Sequence, residues 1–70
     1  MSLYSIIQGI PDKYGVLKYY SILITFTDRD RAHVLFDEMK KRPDMQPCPN
    51  DCIMHTPTGV TFRIMYHNAI

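Results

Sequence analysis

Residues 17–36, LKYYSILITFTDRDRAHVLF, decide the fold that the sequence predicts, because an apolar strand here runs directly into a capped amphipathic helix. β-Branched and aromatic side chains dominate residues 17–26, as they do in the strands of folded proteins. One alternating set can line a single face of a pleated strand, namely Tyr20, Ile22, Ile24 and Phe26. We therefore predict that residues 17–26 form the central strand of the sheet and that this face lies in the core.

A helix is predicted directly after this strand, because the apolar period changes from two residues to 3.6. The residues at i, i+3, i+4 and i+7 of the new pattern are Ala32, Leu35, Phe36 and Met39. Thr27 or Asp28 can accept hydrogen bonds from the first N–H groups of the helix, and Pro43 cannot continue it. The helix should therefore run from about Asp28 to about Lys41, with its apolar stripe on the sheet.

A further strand is predicted before this unit. Residues 3–10 carry the apolar side chains of a strand, and they are followed by a segment with Pro11, Asp12 and Gly15. Proline presets φ, aspartate can accept hydrogen bonds from the local backbone, and glycine tolerates positive φ, so this segment is typical of a turn. Residues 3–10 and 17–26 should therefore form an antiparallel pair.

The last third of the chain is predicted to form a loop and a hairpin. Residues 44–51 contain two prolines and no apolar period, which is typical of a loop. Residues 52–55 and 60–67 then form two strands, and the longer one can present an apolar set to the helix: Val60, Phe62, Ile64 and Tyr66. The predicted fold is α+β, with a four-stranded antiparallel sheet and one helix packed on one face, in the order ββαββ. It forms a single small domain over residues 1–70.

The composition indicates a small domain with little electrostatic specialisation. The chain has 70 residues, a mass of 8.2 kDa, 46% hydrophobic residues and a net charge of +1. Such a chain buries about 60% of its surface on folding, so its core is marginal and often needs help from a disulfide, a metal or a second subunit. A homodimer is a natural source of that help. The near-neutral charge argues against a general polyanion binder and against an acidic mimic of DNA.

No targeting or membrane segment is expected. The N-terminal ten residues are apolar but lack the charged region of a secretory signal. No run of the sequence reaches the 18 or so apolar residues of a membrane span. We therefore expect a cytoplasmic protein that does not enter a membrane.

Little in the sequence indicates catalysis. It has no glycine-rich phosphate loop, no serine in a nucleophile-elbow setting and no HExxH spacing. Four of the carboxylates, Asp28, Asp30, Asp37 and Glu38, are expected around one short exposed helix, whereas a catalytic pair must converge in a pocket. A domain of this size also leaves little room for a ligand cleft of about 300 Å³. We therefore expect a protein that is not an enzyme and that needs no cofactor.

The most specific chemical pattern is C-x3-C-x2-H at Cys48, Cys52 and His55. Zinc prefers four thiolate or imidazole ligands in a closed tetrahedron, and His67 is a fourth candidate if the strand register brings it close. Zinc knuckles normally place two residues between the thiols, however, and here there are three. The spacing also permits a disulfide, but in the cytosol the two cysteines would be kept reduced. The sequence therefore favours reduced, unlinked cysteines over a metal site or a disulfide.

The sheet face opposite the helix is the best candidate for a binding site. If one face of the central strand packs on the helix, a second set of side chains points the other way, where no remaining segment is long enough to cover it: Tyr19, Leu23, Arg63, Met65 and His67. Tyrosine, methionine and arginine are enriched in protein interfaces, and an exposed patch of this kind usually marks association. These five residues are therefore predicted to bind a protein. The alternative is that the first strand or the twist of the sheet hides half of the patch.

The favoured function is a small non-enzymatic protein-binding module, a stoichiometric inhibitor or regulator of a larger complex. Its size and mixed surface are analogous to those of small phage or mobile-element accessory proteins. The main alternative is a sheet that binds single-stranded nucleic acid, with Tyr19, Arg63 and His67 contacting unstacked bases. The balanced charge and the single helix argue against nucleic acid as the partner. A small zinc-stabilised domain is the third interpretation.

Overall fold

In the computed structural model, which describes residues 2–68, one helix packs on a five-stranded antiparallel sheet. The elements in chain order are β1 (Ser2–Gly9), β2 (Ser21–Phe26), α1 (Arg29–Lys40), β3 (Met45–Cys48), β4 (Cys52–His55) and β5 (Thr61–Asn68). Across the sheet the strands lie in the order β2-β1-β5-β4-β3, and every neighbouring pair is antiparallel. The predicted α+β class, with one helix and an antiparallel sheet, is confirmed. The predicted four strands in the order ββαββ are wrong, because the chain forms ββαβββ.

β1 lies in the interior of the sheet, whereas the strand that the sequence predicts at the centre lies at an edge. β1 pairs with β2 on one side and with β5 on the other, and both Ile6 and Ile7 are buried. Because successive strand residues point to opposite faces, burial of both shows that both faces of β1 are covered. β2 lies at the edge of the sheet and begins only at Ser21. The prediction of a central strand over residues 17–26 is wrong, because an apolar run indicates a strand without indicating its neighbours.

A β-bulge in the β1–β2 pair changes which side chains of β2 face the helix. Ile24 lies opposite Ile6, but Ile22 lies opposite Ile7, so Leu23 is the extra residue between them. Residues directly opposite each other share a face, and Ile6 belongs to the core under the helix whereas its neighbour Ile7 points the other way. Ile22 therefore lies on the face away from the helix, in contrast to the predicted alternation.

The helix forms as predicted and supplies one side of the core. Asp28 is the N-cap, and its Oδ1 accepts a hydrogen bond from the backbone N–H of Asp30 at 2.8 Å, while Lys41 is the C-cap. Every member of the predicted apolar stripe is buried or packs against the core. The buried cluster under the helix consists of Ile6, Phe36, Met39, Ile53 and Phe62. Among residues 2–68, no helix has the length and apolar character needed to span a membrane.

β4 and β5 form the predicted hairpin. β4 has the predicted bounds, and β5 is shifted by one residue. Phe62 lies in the core, and Val60 and Ile64 pack against it. Because β1 lies between β5 and β2, these side chains pack beside Ile6 and not, as predicted, beside the apolar residues of β2.

The additional strand, β3, lies in the segment that the sequence predicts to be a loop. It pairs with β4 at the second edge of the sheet, and residues 49–51 close the hairpin. Pro47 is tolerated because an edge strand needs only one side of its backbone for pairing. Asn50 and Asp51 have φ values of 66° and 57°, a conformation that Asn and Asp tolerate better than most residues with a side chain. The predicted loop over residues 44–51 is wrong because proline excludes a central strand but not an edge strand.

The β1–β2 connection, residues 10–20, covers part of the sheet face opposite the helix. The Asp12 carboxylate holds its turn by accepting hydrogen bonds from two backbone N–H groups at 2.9 and 3.0 Å. Leu17 is buried, and the backbone of Tyr19 lies so close to Gly9 that an added Cβ would be 2.5 Å from the Tyr19 carbonyl oxygen. The prediction that no segment can cover this face is therefore wrong for the part of the sheet that lies under the connection.

Candidate protein interface

Three of the five predicted interface residues share one face of β5. Arg63, Met65 and His67 alternate along this strand, and Ile64 between them packs against the core under the helix. Strand alternation therefore places the three residues on the predicted face, away from the helix, although the Arg63 side chain also lines a groove between α1 and β5. Arg63 is exposed, and the other two are half-buried. Their use as a binding site stays a prediction.

Tyr19 and Leu23 lie at β2, apart from the β5 group. Tyr19 belongs to the connection before the strand and is 87% exposed, and Leu23, at the bulge, is 49% exposed. β1 separates β2 from β5, so two strand spacings of about 4.8 Å each lie between Leu23 and the β5 side chains. The five residues therefore form two groups, one along β5 and one along the edge of the sheet.

A polar network links these two groups across β1. The Ser5 hydroxyl lies 2.8 Å from Thr25 Oγ1 on β2 and 3.1 Å from His67 Nε2 on β5, and Ser5 is fully buried. A Ser–His contact of this length is also the geometry of a nucleophile and its base, but a hydroxyl closed off from solvent cannot reach a substrate. The network therefore satisfies a buried hydroxyl and holds the His67 ring. Nothing in the sequence predicts it, because one Ser in an apolar strand does not reveal its partners.

The edge strand β2 exposes apolar side chains that its alternating pattern predicts to lie in the core. Tyr20 is 44% exposed, Ile22 55% and Ile24 37%, in addition to the two residues above. No residue from 19 to 27 is charged. Natural sheets usually protect an edge with charged residues, proline or a very short strand, because an open edge is a template for pairing. We call residues 19–26 the β2 surface; its exposure and lack of charge favour association with protein.

The structure does not bring the four metal candidates together. Cys48 and Cys52 lie opposite each other on β3 and β4, and both thiols are free. His55 lies level with Val60, because its backbone N–H donates to the Val60 carbonyl at 2.8 Å. His67 lies seven residues further along the chain than Val60, about 23 Å away in extended strand. Among residues 2–68, no group of three or more His, Cys, Asp and Glu side chains is placed to hold a metal ion.

His55 instead fastens two turns of the chain to each other. Its Nε2 is 2.8 Å from Asp44 Oδ2, and its Nδ1 is 2.8 Å from Thr58 Oγ1. The backbone N–H and the hydroxyl of Thr56 both donate to the Asp44 carbonyl, at 2.9 and 3.2 Å. These contacts tie the segment after α1 to the β4–β5 turn.

The Asp44–His55–Thr58 order resembles that of a nucleophilic triad, but its surroundings do not support catalysis. An acyl-transfer site needs backbone N–H groups aimed at the developing oxyanion. Here the N–H groups of residues 58 and 59 donate to the His55 carbonyl, and that of Val60 donates to Thr58 Oγ1 at 3.3 Å. These backbone N–H groups therefore hold the β4–β5 turn and do not point to a site where an oxyanion could form. We interpret the Asp44–His55–Thr58 contacts as part of the structure of the turn.

The two cysteines should differ in reactivity towards an alkylating reagent. Burial raises the pKa of the Cys52 thiol more than the nearby charge of Arg63 lowers it, whereas Cys48 is only half-buried. The thiolate is the reactive form, and a raised pKa lowers its fraction at any pH below that pKa. We expect iodoacetamide to modify Cys48 roughly ten-fold faster than Cys52 in the folded protein, measured by mass spectrometry on Cys48→Ser and Cys52→Ser variants. Similar rates in denaturant are the control, and similar rates in the folded protein would contradict the burial of Cys52.

A groove of about 670 Å³ lies between α1 and β5. Its lining includes three cationic side chains, a histidine and two tyrosines: Arg29, Lys40, Arg63, His33, Tyr4 and Tyr66. The two tyrosine rings pack together with centroids 5.4 Å apart. Among residues 2–68, no ion pair involves Arg29 or Arg63, and Asp51 is the carboxylate of the lining. The groove therefore combines an excess of positive charge with aromatic surface, which is suited to an anionic ligand.

No protein family, curated protein or solved structure matches this chain. Its function must therefore be inferred from the placement of its own residues.

Proposed function

We propose that this chain is a small non-enzymatic protein-binding module that acts as a stoichiometric inhibitor or regulator of a larger complex. The observation that carries the proposal is the β2 surface, an uncharged run of exposed aromatic and aliphatic side chains at one edge of the sheet. Contiguous apolar patches on small soluble proteins usually mark association, because leaving them in water costs free energy.

The neighbouring sheet face supplies the polar contacts that such an interface needs. Interfaces commonly combine aromatic or aliphatic anchors with a rim of polar groups. Tyr19 and Leu23 offer anchors, and Arg63 offers a guanidinium that has no ion pair among residues 2–68. His67 has its ring held by Ser5, so it loses little conformational freedom on binding. A partner that covers both groups would meet apolar side chains near β2 and a positive charge near β5, so a surface with carboxylates around an apolar centre fits best.

The test is a binding measurement with matched substitutions. The wild-type protein, immobilised and exposed to lysate of its source cell, should retain one saturable partner, and native mass spectrometry should give a fixed stoichiometry. Tyr19→Ala and Arg63→Glu should each weaken binding at least about 100-fold, as losses at interface hot spots do. Tyr14→Ala and Arg42→Glu are the controls, because they alter exposed residues of the same types away from both groups.

The fold of each variant is checked by circular dichroism, since the substituted side chains are exposed and their loss should leave stability nearly unchanged. A partner that binds Tyr19→Ala and Arg63→Glu as tightly as it binds the wild type would contradict the proposed surface. Failure to retain any saturable protein would contradict the proposed function.

Binding of single-stranded nucleic acid is the second candidate, and the groove between α1 and β5 is the observation that favours it. Its cationic side chains could contact phosphates, and Tyr66, which is exposed, could stack on a base. A labelled oligonucleotide titrated at two salt concentrations separates the candidates. If protein is the partner, no binding is expected even at low salt. Micromolar binding with a steep salt dependence, lost in Arg29→Glu and kept in Tyr19→Ala, would instead assign the function to the groove.

A further inference from the structure

We propose that Cys48, Cys52 and Met54 form a binding site for one copper(I) ion on the face of the sheet opposite the helix. All three side chains line one cavity of about 230 Å³, between the β3–β4 hairpin and the β1–β2 connection. The proposed site goes beyond the protein-binding function and uses no residue of the β2 surface. Either proposal can therefore fail without the other.

The strand register brings the three sulfur-bearing side chains to the same face. Cys48 lies directly opposite Cys52 in the β3–β4 pair, and residues opposite each other share a face. Met54 follows Cys52 by two residues on β4, so strand alternation places it on that face too. Ile53, between them, belongs to the buried cluster under the helix. The two thiols and the thioether therefore lie on the other side of the sheet, where the cavity is.

The spacing of the two cysteines suits two ligands of a single ion. Residues directly opposite each other in an antiparallel pair have Cβ atoms about 4.5–5.5 Å apart. A metal–thiolate bond measures about 2.3 Å, so two sulfur atoms on one ion lie up to about 4.6 Å apart. In the thiol form, Cys48 Sγ donates to the Gln46 carbonyl at 3.7 Å and Cys52 Sγ donates to the Asn50 carbonyl at 3.5 Å. Both hydrogen bonds are weak, and on binding each thiol would release its proton to solvent and bind the metal as a thiolate.

The ligand types select copper(I) over the other common metal ions. Thiolate and thioether sulfur are soft ligands, which prefer copper(I), whereas calcium and magnesium require oxygen ligands. Zinc in closed sites is bound by four thiolate, imidazole or carboxylate ligands. Among residues 2–68, no third His, Cys, Asp or Glu side chain joins the two thiols in a group that could hold a metal ion. Two thiolates and one methionine therefore fit a soft ion of low coordination number better than they fit zinc.

The walls of the cavity also favour a soft ion over a hydrated one. The rest of the lining consists of uncharged residues, three of them proline or glycine: Pro11, Tyr14, Gly15, Pro49, Asn50 and Thr61. The Asp12 carboxylate fixes the turn that carries the first three of them. An apolar shell around a metal site limits the access of solvent. The β1–β2 connection would therefore cover the bound ion.

The test is an anaerobic titration of the reduced protein with copper(I), in competition with the chromogenic chelator bicinchoninate. The wild type should take up one ion per chain. Cys48→Ser and Cys52→Ser should each weaken binding at least about 100-fold, since even the loss of a group that only orients a metal ligand costs about 10–100-fold. Met54→Leu, which nearly conserves volume, should weaken binding about ten-fold. Met65→Leu is the matched control, because Met65 lies on the same face of the sheet but outside the cavity, and its replacement should leave the affinity unchanged.

X-ray absorption at the copper edge shows which atoms bind the ion, and it needs only the wild-type protein. Three sulfur ligands per copper are expected. Two sulfur ligands alone, or any nitrogen or oxygen ligand, would overturn the proposal. This measurement decides the question if circular dichroism shows that a cysteine variant does not fold.

The titration has its own contradicting results. Loss of all copper(I) from the wild type to bicinchoninate would overturn the proposal, as would equal affinities of Met54→Leu and the wild type. One ion per two chains would also overturn it, because copper would then bridge two molecules instead of occupying this cavity.

Discussion

Phe36→Ala should leave the protein largely unfolded at room temperature. Phe36 is 3% exposed and lies in the buried cluster that joins α1 to the sheet. Truncation of a buried phenylalanine costs about 3–5 kcal/mol, since apolar burial is lost and the remaining cavity collapses only in part. At about 0.05–0.15 kcal/mol per residue, a chain of this length has a total stability of about 4–10 kcal/mol. The loss is therefore comparable to the whole free energy of unfolding.

Urea unfolding followed by far-ultraviolet circular dichroism measures this loss. Val34→Ala is the matched control, because Val34 lies on the same helix but is largely exposed, so its truncation should change stability by less than about 0.5 kcal/mol. A cooperative transition of Phe36→Ala within about 1 kcal/mol of the wild type would show that the helix does not close the core through this residue.

Gly9→Ala should be the second most damaging of these substitutions. The added Cβ would lie 2.5 Å from the carbonyl oxygen of Tyr19 and 3.4 Å from the Cα of Tyr20. Both are backbone atoms, so neither can move aside without displacing the β1–β2 connection. Overpacking of this kind typically costs about 1–3 kcal/mol, and Gly9→Val should cost more. The connection should also become a site of protease cleavage, because its displacement would uncover buried Leu17.

Gly59→Ala separates this steric effect from the general cost of replacing glycine. No atom lies within 4 Å of a Cβ added at Gly59, but its φ of 77° disfavours a side chain, so a loss of about 1 kcal/mol is expected from the backbone alone. In urea unfolding, Gly9→Val should therefore be clearly less stable than Gly59→Ala. If Gly9→Val were as stable as the wild type, the connection could not be packed against β1.

The helix was predictable because its signals are local. Asp28 caps it and Pro43 follows its end, and both act within a few residues of the positions that they determine. The apolar stripe is equally local, since the helical period alone places Ala32 and Phe36 on the same side. The predicted and observed bounds consequently agree within one residue at each end.

The order of the strands could not be predicted, because it depends on contacts between distant segments. The sequences of β1 and β2 are both apolar, and nothing local indicates that Ile6 and Ile7 are covered on both faces while Ile22 is exposed. The bulge at Leu23 adds to the difficulty, because one extra residue reverses the face of every side chain beyond it. β3 was not predicted, because proline argues against a strand at the centre of a sheet but is tolerated in a strand at its edge.

The candidate interface was partly predictable for the same reasons. Arg63, Met65 and His67 follow the alternation of one strand, so their common face could be inferred from sequence. The separation of Tyr19 and Leu23 from them depends on β1 lying between the two strands, and the contact between His67 and Ser5 depends on the β1–β5 register. The distance between His55 and His67, which the sequence offered together as metal ligands, likewise depends on which strand ends meet.

The central pairing of the sheet has a kinetic consequence. β1 and β5 join residues as far apart in the chain as Tyr4 and Tyr66, whereas β1 and β2 are joined by a short connection. Contacts of long sequence separation slow folding, typically to milliseconds or seconds for sheet proteins, because a large loop must close before they form. The β1–β2 hairpin should therefore form before β5 pairs with β1. Until β5 pairs, the apolar side chains of the hairpin remain exposed to solvent. During that interval intramolecular closure competes with encounters between molecules, so the yield of refolding should fall as the protein concentration rises.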